Sequence, residues 1–167
     1  YYAYREIGHT IKNKQNHEEK DKMVVPAKKV NRLLFRLVNR VQPQYIIDLG
    51  GEPYTSYYLQ AGKKTAHYVL LTKAGAIEWP SDASADFLHI NDPGNPVVVK
   101  ELFECAVGKV SSKSVFAIQG IYHSKAMEVL WKQIIADERV GITFDLYDLG
   151  ILFFDKSKLK QHYVVNF

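Results

Sequence analysis

The sequence predicts an α/β fold, a Rossmann-like three-layer α/β/α sandwich with a mainly parallel sheet and antiparallel C-terminal strands. Three observations carry that prediction. Tyr45-Ile46-Ile47-Asp48-Leu49-Gly50-Gly51 is a short apolar run closed by an acid and two glycines, the pattern of a buried strand whose carboxyl end breaks into a tight turn. Strand and helix periods then alternate along the chain, as stacked βαβ units require. Residues 140 to 167 hold three strand-like runs whose connections are too short for crossover helices, so they pair antiparallel.

Each element has its own local cause. Residues 1–27 form a polar N-terminal segment with the solvated run Lys12 to Lys22, and Pro26 closes it. Residues 28–167 form a single domain. Val30, Leu33, Leu34, Leu37, Val38 and Val41 recur at helical spacing and predict a helix from Lys28 that Pro43 ends. The strand through Asp48 follows, and Gly50 frees the backbone to turn where a Cβ would clash. Glu52 to Leu59 reads as a short helix packed back on the sheet, and His67 to Leu71 as a second strand. The stretch Ala74 to Ala85 is too short for a further strand with two crossovers, so the sheet lacks any strand beyond the second. Asp86 to Ile90 is a third strand, closed by the turn Asn91-Asp92-Pro93-Gly94-Asn95. A helix from Val97 to Val107 and a strand through Val115 to Ile118 come next. Ser124 is placed to cap a helix whose buried stripe is Met127, Leu130, Trp131, Ile134 and Ile135. Val140–Phe144, Ile151–Phe154 and Tyr163–Phe167 are the closing strands, and their phenylalanines point to both faces, which helices must then cover.

The totals narrow the function classes. A chain of 167 residues holds one adequate core. Its net charge of +4 is concentrated in the first forty residues, but no aromatic–basic motif accompanies it, which argues against nucleic acid. No apolar run approaches the roughly 20 residues of a membrane span, so a cytoplasmic protein is expected. The sequence opens on Tyr1 without a signal peptide or initiating methionine, as a trimmed product would. Cys105, the single cysteine, falls in an apolar helical stretch and reads as a buried, inert thiol.

Residues 33–39 leading to Asp48-Leu49-Gly50 form one distinctive pattern. Ile121-Tyr122-His123-Ser124-Lys125-Ala126-Met127-Glu128, Trp131, Asp137, Arg139-Val140, the run Phe144 to Ile151 and Gln161-His162-Tyr163 form a second, more specific one. On these the chain resembles the class I S-adenosylmethionine-dependent methyltransferases, and a bacterial methyltransferase-like family in particular, over roughly residues 30 to 167. The resemblance implies that Asp48, Gly50 and Gly51 are the cofactor-binding candidates, at the acid and first-glycine positions around the cofactor's methionine and ribose.

Departures from that family converge on this site. Tyr54 stands at its later glycine position, where a ring would take the ligand's space. Glu52 adds a like charge near the cofactor's carboxylate. No acid stands between Lys63 and Ile77, where the ribose hydroxyls would be held; Thr72-Lys73 fall there instead, and the linkage to Asp86 is too short to wall the adenine side. Asn91 and Gln119-Gly120 replace the family's acidic later strand ends. The expectation is therefore a methyltransferase-like domain that has lost S-adenosylmethionine binding, with no cofactor and no catalytic residue, acting in binding, structure or assembly with a protein partner or a second copy of itself. The alternative is an active methyltransferase on a small molecule, with S-adenosylmethionine as its cofactor.

The remaining residues weigh toward structure. Asp48 divides evenly between holding a ligand and capping its own turn. His67, His89 and His123 lack base–nucleophile spacing and read as satisfied structural histidines. Asp82, Asp86 and Asp92 do not space as metal ligands. Tyr54, Tyr57 and Tyr58 read as a packed helix face, and Asp145 and Asp148 as local turn caps.

Overall fold

In the computed structural model of the protein the described residues are 28–71, 79 and 81–166. The elements, in order, are α1 (Lys28–Val41), β1 (Tyr45–Leu49), α2 (Pro53–Gly62), β2 (His67–Leu71), β3 (Phe87–Ile90), α3 (Pro96–Val107), β4 (Val115–Gln119), α4 (Lys125–Ala136), β5 (Ile142–Asp145), β6 (Leu149–Phe153) and β7 (Gln161–Val164). The strands form one sheet in the order β2-β1-β3-β4-β6-β5-β7. β1, β2, β3 and β4 run parallel, and β6 pairs antiparallel with both β4 and β5.

Period-two alternation sends the strands' residues to two cores. Ile47, Leu88, Phe116, Ile118 and Leu152 face α3 and α4, where they meet Leu102, Phe103, Leu130 and Trp131. Ile46, Phe87, Val115, Ala117 and Ile151 face the other way, onto Leu34 and Val38 of α1 and Leu59 of α2. A sheet buried on both faces accounts for the nearly unbroken apolar runs of β1, β3 and β4. The phenylalanines divide as expected: Phe144 and Phe153 meet edge to face at 5.9 Å on the α1 side, and Phe154 packs on Phe116 at 4.5 Å on the other.

The structure departs from the sequence reading in the tail. β7 pairs with β5, and in parallel. Residues 154–160 carry the chain past β5, a step of about two strand spacings at ~4.8 Å each, which a loop of that length spans without a helix. β5 starts later than expected, at Ile142, and β7 occupies residues 161–164 rather than 163–167; Phe167 lies outside the described residues. Among the described residues β2 is an edge strand with none beyond it. Thr72, Lys73, most of the stretch from Ala74 to Pro80, and the N-terminal segment 1–27 lie outside the described residues. Cys105 is half-buried on α3 rather than fully enclosed. Among the described residues no helix is long and apolar enough to cross a membrane.

Candidate functional site

The direction of chain progression reverses between β1 and β3: β2 is laid down on one side of β1, β3 and β4 on the other. Ligands of open α/β sheets bind outside the carboxyl ends of the strands at such a point. In this protein three strands each place a polar residue there, and a fourth sends a hydroxyl toward it from two residues earlier in register. On the face that carries Ile46, Phe87 and Ala117, the residue two positions further along each strand is Asp48, His89 and Gln119. Tyr68 of β2 shares that face.

These side chains bond to one another. Asp48 and His89 are cross-strand partners, and His89 Nδ1 lies 2.7 Å from Asp48 Oδ1. The other ring nitrogen, Nε2, lies 2.8 Å from the Gln119 side-chain amide nitrogen. With Nδ1–H donating to the carboxylate and Nε2 accepting from the amide, the chain Gln119–His89–Asp48 is satisfied at every link. The second oxygen of Asp48 accepts from the Tyr68 hydroxyl and, at 3.3 Å, from Ser56 Oγ in the first turns of α2. Tyr68 also lies 2.7 Å from Ser56 Oγ. Burial first, and then the charge of Asp48, push the Tyr68 hydroxyl well above the ordinary tyrosine range. Asp48 and His89 are both 0% exposed.

The turn that follows is shaped around this carboxylate. Gly50 has φ +70°, the left-handed conformation a glycine adopts without strain. At Gly51 a Cβ would stand 1.9 Å from Asp48 Oδ2, so its backbone lies directly against the acid. The site candidates Asp48, Gly50 and Gly51 are thus brought together. The ring that reaches Asp48 is that of Tyr68, not Tyr54: Tyr54 is half-buried at the second position of α2. Glu52 is exposed at the N-cap of α2 and makes no side-chain capping bond.

The three histidines are not assembled. His67 begins β2 at the opposite rim and stacks on Tyr45 at 5.1 Å, and His123 is exposed before α4. Asp86 caps the start of β1, accepting from Gln44 and Tyr45 N–H at 2.8 and 3.0 Å, and Asp92 is buried beside Asn95. Among the described residues no group of acids, histidines or cysteines has metal-binding geometry.

A second cluster, unforeseen in the sequence, lies on the opposite face of the same rim. Asp145 is buried, where a local turn cap was expected, and it ties together three elements. Its Oδ2 accepts from Tyr122 Oη at 2.5 Å and from Trp131 Nε1 at 3.1 Å, while Oδ1 accepts from Tyr147 N–H at 2.9 Å. Asp148 is exposed, and its backbone carbonyl accepts from Gly120 N–H at 2.7 Å. Among the described residues no buried side-chain polar atom lacks a partner.

The fold is one known from solved structures. The chain has the class I S-adenosylmethionine-dependent methyltransferase fold, with a seven-stranded sheet, a reversed strand pair and helices on both faces. No family model matches the sequence, and no curated protein matches it. Solved structures do. The O-methyltransferase TomG of Streptomyces achromogenes, in complex with SAM, superposes with a TM-score of 0.60 at 13% identity, covering 89% of this chain and 88% of its own. The SAH-bound methyltransferase PaMTH1 of Podospora anserina gives 0.57 at 10% identity, covering 78% and 80%. An O-methyltransferase assigned in Klebsiella pneumoniae gives 0.51 at 12% identity, covering 89% of each chain.

Proposed function

We propose that this protein is a methyltransferase-fold domain whose rim acid serves the fold, and that it works as a binding or assembly module rather than by methyl transfer. The supporting observation is the state of Asp48. Its carboxylate is 0% exposed and accepts from His89, Tyr68 and Ser56. Three donors already occupy this buried carboxylate, and a ligand that displaced one of them would strand a buried polar group at a cost of about 1–3 kcal/mol. A micromolar ligand has about 8 kcal/mol in total. Gly51 leaves no space between backbone and acid, and Gln119 and His89 fill the neighbouring strand ends with a closed pair. On this reading Asp48 is committed to the sheet and S-adenosylmethionine is not its guest.

A second reading, an active methyltransferase on a small molecule, is favoured by two observations. Structures of the same fold hold SAM or SAH, and the left-handed turn at Gly50 is kept. Titration calorimetry with S-adenosylmethionine and with its demethylated product separates the two. The proposal expects no saturable heat at micromolar ligand; a micromolar Kd for either compound restores the enzyme.

A further inference from the structure

Tyr147 occupies a position that the core does not explain. Its backbone has φ +70°, a left-handed conformation that costs a non-glycine residue about 1–2 kcal/mol. Its side chain is 72% exposed, so burial offsets little of that cost. What the ring does touch is Tyr122, with centroids 5.6 Å apart and planes at 30°. Tyr122 is itself 42% exposed. Among the described residues this is the one stacked pair with both rings exposed. Asp145 holds both members, taking the Tyr122 hydroxyl on one oxygen and the Tyr147 N–H on the other. The carboxylate is buried and bound also to Trp131 of α4, so the platform is anchored to the core.

The charge around the platform is negative where the rings meet. Tyr122 and Tyr147 surround Asp145, and Asp148 is exposed in the same turn. Glu128 lies near, its charge shared with Lys125 and Lys132 at 3.0 and 2.7 Å. The hydrogen bond to Asp145, then burial, then the charges of Asp145 and Glu128 push the Tyr122 hydroxyl up to about 12. Aromatic faces carry negative charge on their quadrupole, and a platform backed by carboxylates attracts organic cations rather than anions.

We infer that the stacked Tyr122–Tyr147 pair, held on Asp145 at the carboxyl rim, is a cation–π binding site for an organic cation of the alkylammonium class. The site lies on the face opposite Asp48 and does not depend on what Asp48 holds.

The test uses the whole chain with isotope-labelled tyrosine. Choline is titrated against its uncharged carbon isostere, 3,3-dimethylbutan-1-ol, while the ring signals of Tyr122 and Tyr147 are followed by NMR. Both rings are expected to shift saturably with choline. The isostere should bind roughly three- to fivefold more weakly, as an exposed cation–π contact requires. Tyr147→Ala should abolish the Tyr122 response, and Tyr147→Phe should keep it; circular dichroism establishes that both variants fold. Equal binding of choline and its isostere, no saturable shift, or an unchanged choline affinity in folded Tyr147→Ala each overturn the inference.

Discussion

A methyl group added at Gly51 would stand 1.9 Å from an oxygen of Asp48, in a site where that acid already bonds Tyr68, Ser56 and His89. Gly51→Ala must therefore push the carboxylate off its partners. Overpacking of this kind costs about 1–3 kcal/mol, and chemical denaturation should show a loss of that size. The rim's other acid makes a pH prediction. Tyr122 is held protonated by Asp145, with its hydroxyl raised from 10.0 to about 12. A group whose folded value is raised stabilises the fold below its unfolded value, so this contribution is present below pH 10 and disappears as pH climbs toward 12. Ultraviolet difference titration should find Tyr122 ionising late, ahead of the buried Tyr68, and this earlier of the two late steps should be missing in Tyr122→Phe. Asp145→Asn should bring it back toward 10.0. Half of the Asp48 site was legible at this scale. The acid and its glycines stand out in the sequence, whereas Tyr68 and Ser56 look like an ordinary strand tyrosine and helix serine. Their role depends on β2 lying beside β1, which pairs Ile46 with Tyr68. A usable signal did exist: Asp48, His89 and Gln119 each follow an inward apolar residue by two at a strand's carboxyl end.

Elements follow their sequence signals closely where the signal is local. Ser124 caps α4, accepting from Met127 N–H at 3.2 Å, and the stripe Met127, Leu130, Trp131 and Ile134 is buried. Ser124→Ala removes that acceptor and should lower stability by about 1 kcal/mol, measured as a shift in the denaturation midpoint at unchanged slope. Ser124→Asp, which keeps a capping oxygen, should lose much less. The tail shows where local signals stop. Strand existence was readable from Val140 to Phe167, but β7's partner was not: its residues are exposed and carry no inward–outward pattern to specify register. Its place is set by the length of the 154–160 loop and by Val165 N–H bonding Asp145 O at 2.8 Å.

For the whole molecule, strand alternation and helical period specify the layered architecture, because both cores are built from period-two strands and period-3.6 helices. Function lies in the rim's polar side chains, which depend on strand order and on which strand end meets which. Two carboxylates, Asp48 and Asp145, stand at that rim on opposite faces of the sheet, each buried and each collecting donors from several elements. The proposed function assigns Asp48 to the sheet rather than to a ligand. The most direct measurement is a crystal structure grown with S-adenosylmethionine in excess. Asp48 is expected still to bond Tyr68, Ser56 and His89, with no cofactor density against Gly50 and Gly51. Density for the cofactor at that turn, with the Asp48 carboxylate or Tyr68 swung away to receive it, would contradict the account.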